Sequence, residues 1–276
     1  MGKKEDYKRE LIALLDAFIV TGNDQGLFDY IASNSNLPGP RGNLELAEAF
    51  GDATGQYAQE KSGQLWELCA KMTKVSADEA PVNSPRELIP FCGAVGMGAL
   101  GAACPTLFAE ALAALRASAN DPRWRMREAV PMALQRLITA HPQETLNALE
   151  RWAAEGSPLE MRAAAAGVAE PALLRNGESA QAALGLHETI FERMPEFDDR
   201  KSDEFKALRK GLGYTLSVVV QAAPQEGFAF MRQLAAMQDK DVLWIVKENL
   251  KKNRLVKNFP TQVESIRSSL QEQRNE

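Results

Sequence analysis

Asp121, Trp124 and Arg127 stand three residues apart, and the same spacing returns at Asp241, Trp244 and Lys247. Residues three apart share a helix face, so each set places a carboxylate, an indole and a cation side by side. A cation so placed meets phosphate oxygens, and an indole beside it stacks on a base or cages a second cation. Two looser copies, Gly156-x-x-Leu159-x-x-Arg162 and Asp203-x-x-Lys206-x-x-Arg209, bring a cation back to the same position. The pattern also has a purely structural use. An acid at a turn can bond a cation of the neighbouring repeat, and the tryptophans then fill seams between helices.

The most basic stretch is 247–257, where Lys247, Lys251, Lys252, Arg254 and Lys257 face one carboxylate, Glu248. It suits a polyanion, and it equally suits the solvated outer face of a terminal capping repeat. Catalytic sets are missing from the sequence. His141 and His187 are not spaced as metal ligands, and Cys69, Cys92 and Cys104 form no C-x-x-C pair. There is no G-x-S-x-G elbow and no Walker loop. No metal and no small-molecule cofactor is expected. Gly96-Met97-Gly98-Ala99-Leu100-Gly101 matches G-x-G-x-x-G, with Asp121 further on, but the motif needs a preceding strand. In a helical context these glycines read as close helix–helix packing.

A net charge of −5 over 276 residues excludes a wholly basic nucleic-acid coat and leaves room for a local basic face. An odd cysteine count fits a reducing compartment, and the first residues lack the apolar run of a signal peptide. A cytoplasmic location is expected. Residues 88–109 carry no charge, yet alanines, glycines and two prolines dilute them, so a tightly packed helix is expected rather than a membrane span.

The elements that must carry these residues have the helical period almost throughout. Helices are expected over 4–21, 24–34, 43–53, 56–73, 85–103, 105–118, 122–139, 143–155, 158–175, 178–194, 203–221, 225–236, 241–251 and 260–272. Ser84-Pro85, Asp121-Pro122 and Ser157-Pro158 each place a capping side chain before a proline that has no N–H to lose. Residues 121–154 align with 203–236 at a constant offset of 82 without a gap. Seven apolar positions keep register, from Met126/Leu208 to Trp152/Leu234, and Pro142-Gln143-Glu144 matches Pro224-Gln225-Glu226. A repeated helix pair implies a stacked array. The expected fold is an all-α, right-handed superhelical solenoid of antiparallel helix pairs (an α-α superhelix). Residues 1–83 would form an N-terminal helical region and 84–276 the repeat array, in one continuous elongated domain. Asp121 and Arg127 recur in the copy and so belong to the stack. Arg123, Trp124 and Arg125 do not recur, which leaves them freer for a partner.

Trp124-x-x-Arg127-x-Ala129, Arg162-Ala163-Ala164-Ala165 and the segment from Asp241 through Trp244, Lys247, Asn249 and Lys251-Lys252 to Arg254-Leu255 resemble HEAT-like repeats, specifically those grouped with DNA alkylation repair. The resemblance covers about residues 85–257. It implies DNA held in a concave, cationic, tryptophan-lined groove, with Trp124, Arg127 and Arg162 among its residues. Glycosylases of that group carry a Trp-x-x-Val-Asp-type segment with the catalytic aspartate, and every Trp here lacks an aspartate at that spacing.

Two readings follow. One is a non-enzymatic binding scaffold for DNA or a protein partner, without a membrane, its contacts drawn from Arg123, Trp124, Arg125, Arg127, Arg162, Trp244, Lys247, Lys251, Lys252 and Arg254. The other is a glycosylase excising alkylated purines. The first carries more of the sequence. Cations 127, 162, 209 and 247 pairing with acids between repeats would favour it. Their convergence around an aspartate would favour the enzyme.

Overall fold

The computed structural model describes residues 2–275, with side chains to residue 272. The described residues form helices, turns and loops and no strand. The chain divides into two compact units, 1–145 and 146–276. Both are built from helix pairs stacked side by side.

The first unit contains α1 (Lys3–Thr21), α2 (Gln25–Ser33), α3 (Leu44–Gln56), α4 (Ala58–Thr73), α5 (Leu88–Ala103), α6 (Phe108–Ala119) and α7 (Trp124–Ala140). Helix α5 is its centre, touching α3, α4, α6 and α7, and every residue from Leu88 to Gly101 is buried. Its glycines explain the tight fit. A Cβ on Gly96 would lie 2.6 Å from Cys69 Sγ, one on Gly98 2.6 Å from the Ala133 Cβ and one on Gly101 2.5 Å from the Ala111 Cβ. The G-x-G-x-x-G run is thus the packing surface of a buried helix. No helix among the described residues is long and apolar enough to cross a membrane.

Helix α8 (Pro142–Glu155) leads into the second unit, which holds α9 (Pro158–Val168), α10 (Gly177–Arg193), α11 (Asp203–Ala222), α12 (Pro224–Ala236), α13 (Lys240–Asn249), α14 (Asn253–Asn258) and α15 (Pro260–Asn275). The first helices α9, α11 and α13 pack side by side, α10 and α12 pack against α11, and α12 also touches α13 and α15. The sequence repeat is a structural one. Helix α7 ends at Ala140 and α11 at its counterpart Ala222, and α8 and α12 start at Pro142 and Pro224. Six of the seven matched apolar pairs are buried in both copies, Leu146 alone being half-buried. The periodicity that built the array therefore marks its core.

Several boundaries differ from expectation: α5 and α6 each begin three residues late, behind 3-10 turns at Pro85–Glu87 and Pro105–Leu107, and α3 runs on to Gln56. Helix α9 stops at Val168 instead of 175, because Pro171 disfavours helical backbone at the residue before it. The stretch 250–260 supplies an extra short helix, α14. Helix α7 starts at Trp124, two residues late. The Asp121 carboxylate accepts from the Arg123 backbone N–H at 2.7 Å and from its guanidinium, so it closes a local turn instead of capping the helix. Ser157 does cap α9, its hydroxyl accepting from the Glu160 N–H at 3.2 Å, whereas Ser84 makes no side-chain cap.

Candidate polyanion-binding groove

In the first unit two of the expected contact residues, Arg123 and Arg125, are turned inward. Arg123 is 3 % exposed. It pairs with Asp121 at 2.8 Å and donates to the carbonyls of Ser76 and Ala80. Arg125 is 5 % exposed and pairs at 2.9 Å with Glu87, which is wholly buried. It also donates to the Gly39 carbonyl at 2.6 Å and to Asn83. Two loops, 34–43 and 74–83, thus meet on one guanidinium. Arg127 donates to the carbonyls of Asp121 and Pro122. Non-recurrence in the repeat was a poor guide here: Arg123 and Arg125 are unrepeated because they tie down loops particular to this unit, so they are not open to a partner. Trp124 is 43 % exposed, with Arg125 beneath its ring at 4.3 Å.

The second unit gathers its cations on the solvent face of α9, α11 and α13. Lys206, Lys210 and Tyr214 recur every four residues, and all three are exposed on α11, forming one stripe. Glycines let the neighbouring helices close in on either side. Gly211 sits against the Arg162 stem of α9, where a Cβ would be 3.1 Å from Cγ. Gly213 sits against the Trp244 ring of α13, again at 3.1 Å. Arg209 lies over the Trp244 ring at 4.1 Å and forms an ion pair with Asp241 at 3.1 Å. Arg200 reaches Asp241 from its other side at 3.4 Å and also pairs with Asp239. Burial alone would raise the Asp239 carboxyl, but the Arg200 hydrogen bond and two backbone N–H groups hold it below the usual carboxylate range.

An open groove of about 990 Å³ lies beside the α11 stripe, lined by Arg200, Lys201, Lys206, Arg209, Lys240, Trp244 and Lys247 among others. Asp198, Asp199 and Asp241 are its acids. Lys206 is paired with Asp203. Among the described residues Lys201, Lys240 and Lys247 make no ion pair, nor does Lys210 on the neighbouring stripe. Lys251 pairs with Glu248, so it is partly neutralised. Lys252 and Arg254 flank Tyr214, 5.8 and 4.9 Å from its ring centre.

Of the expected contact residues, Trp244 and Lys247 line the groove, Arg162 packs its stem against Gly211 of α11 outside that lining, and Lys252 and Arg254 stand at the Tyr214 ring. Sequence reasoning had set Arg209 aside as structural, and its ion pair with Asp241 joins α11 to α13 in that way. It passed over Lys210, Tyr214 and Lys240. The four-residue recurrence at 206, 210 and 214 was the available signal. No group of three or more His, Cys, Asp or Glu among the described residues is arranged to hold a metal. Cys69 and Cys92 are buried, and burial pushes the Cys69 thiol up to about 12, which suppresses the thiolate.

No protein-family model matches the chain, and no curated protein matches it. Two solved structures are similar in part: an engineered protein, 12 % identical over 86 % of this chain and 97 % of that one, with a TM-score of 0.32, and a designed armadillo repeat protein, 14 % identical over 80 % and 98 %, with a TM-score of 0.28. Likeness at that level carries no weight for function, and the repeat architecture rests on the helix pairs themselves.

Proposed function

We propose that this chain is a non-catalytic helical-repeat binding protein whose second unit holds a polyanion, in its most specific form a nucleic acid, in the groove of α11 and α13. The observation that carries the reading is the set Lys201, Lys240 and Lys247. These cations open onto one groove, and among the described residues none of them makes an ion pair. Four lysine and two arginine side chains face three carboxylates there, on a chain whose overall charge is negative. A concave surface with an excess of one charge focuses its field on an incoming opposite charge. Equilibrium titration of a labelled nucleic acid supports the reading if binding is tight in low salt and weakens as salt rises. Undetectable binding in low salt removes it, and selective binding of an acidic protein in its place would reassign the groove to a protein partner.

The alkylated-base glycosylase implied by the sequence resemblance needs a carboxylate free to act on the sugar–base bond. Asp241, the buried acid of the groove, is engaged by both Arg200 and Arg209, and Asp199 accepts from the Lys201 N–H. We read Asp241 as a latch between α11 and α13. Release of a methylated purine from DNA under single-turnover conditions would overturn the non-catalytic reading.

A further inference from the structure

Tyr214 is 49 % exposed, which is unusual for an aromatic ring at the middle of a packed first helix. It continues the stripe of Lys206 and Lys210, each step advancing about 6 Å along α11. Its ring is held in place. Arg254 donates to the Tyr214 hydroxyl at 2.7 Å while its guanidinium carbon stands 4.9 Å from the ring centre. Lys252 adds a second cation at 5.8 Å. An oriented, half-exposed ring with two cations over it and in line with two lysines suits an unpaired nucleotide: the base stacks on the aromatic and the backbone follows the charges. A duplex offers this ring nothing, since its base faces are already covered. An acidic peptide offers it charge without a flat face.

We propose that Tyr214, with Arg254 and Lys252, is a base-stacking subsite, and that the nucleic acid bound by the second unit is single-stranded where it crosses α11. The proposal rests on the polyanion reading of the groove and deepens it. Anisotropy titrations in low salt with three labelled probes of equal length test it: an oligo-dT strand, a strand of abasic sites and a duplex. Wild type is expected to bind oligo-dT more tightly than the abasic strand. Tyr214→Ala is expected to weaken oligo-dT binding about 5- to 150-fold, the range of one lost stacking contact, and to leave the abasic strand and the duplex within about twofold. Tyr214→Phe, which keeps the ring and loses the bond to Arg254, is expected to stay within a few-fold of wild type. Arg254→Gln is expected to lower the salt slope for oligo-dT by about 0.7. Equal oligo-dT binding by wild type and Tyr214→Ala overturns the subsite and leaves the groove standing. Equal losses on all three probes overturn the single-stranded assignment. Failure of wild type to bind any of the three overturns the groove reading itself.

Discussion

Arg209 of α11 lies over the Trp244 ring of α13, its guanidinium carbon 4.1 Å from the ring centre, while its Nε forms an ion pair with Asp241 at 3.1 Å. One side chain thereby fixes the aromatic floor of the groove and joins two successive repeats. Asp241 is 6 % exposed, so its attraction for two guanidiniums is less screened than that of a surface pair. Asp241→Asn is expected to destabilise the second unit by about 1–3 kcal/mol, the scale of hydrogen bonds to a charged group, and to loosen Trp244. Urea unfolding followed by tryptophan emission reads both effects. An unchanged midpoint would show that the latch contributes nothing.

Glu87 and Arg125 form the corresponding tie in the first unit, and theirs is fully buried. The Glu87 carboxylate also accepts from the Asn83 N–H at 2.7 Å. Removing its charge leaves a cation uncompensated in the interior. Glu87→Gln is expected to cost about 3 kcal/mol. The double variant Glu87→Gln/Arg125→Met is expected to lose less than the sum of its two single changes, a coupling that a double-mutant cycle measures.

His187 on α10 makes stability depend on pH. It is wholly buried, with Nδ1 against the Ala183 carbonyl at 2.8 Å and Nε2 against the Thr215 hydroxyl at 2.9 Å. Nδ1–H therefore donates and the bare Nε2 accepts, which is the neutral ring. Burial pushes its pKa down from 6.5 to about 4, against the opposing pull of the Ala183 hydrogen bond. Because the folded value lies below the unfolded one, the unfolded chain binds more protons between those two pH values. The contribution is complete above pH 6.5 and is lost as pH falls towards 4, about 3 kcal/mol in all. The difference in unfolding free energy between wild type and His187→Gln should shrink by that amount across the window. A constant difference would contradict the neutral buried ring.

The fold was legible because its signals repeat. Helical periodicity, prolines at helix starts and the 82-residue offset all report the same pattern of burial, and a core cannot hide from its own sequence. The site was legible only in part. Trp244, Arg162 and Lys247 were named because they stand at recurring positions of the repeat, and of these Trp244 and Lys247 line the groove. Arg123 and Arg125 misled because charge type says nothing of burial: their partners, Ser76, Glu87 and Gly39, lie 38 to 86 residues away in turns and loops whose paths no local pattern encodes. Tyr214 escaped notice for the opposite reason. It differs from its surroundings only in being exposed, and exposure is set by how α9 and α13 flank α11.

The central claim is that binding is local to the groove and does not follow from overall charge. It is tested most directly by the salt dependence of nucleic-acid binding for three proteins: wild type, Lys240→Glu/Lys247→Glu in the groove, and Lys61→Glu/Lys74→Glu on the exposed surface of the first unit. The two variants carry the same change in net charge. Wild type and the surface variant should give the same slope of log affinity against log salt, and the groove variant a slope shallower by at least about 1.4, two phosphate contacts on a single strand. Equal weakening by both variants, or no binding by wild type in low salt, would contradict the claim.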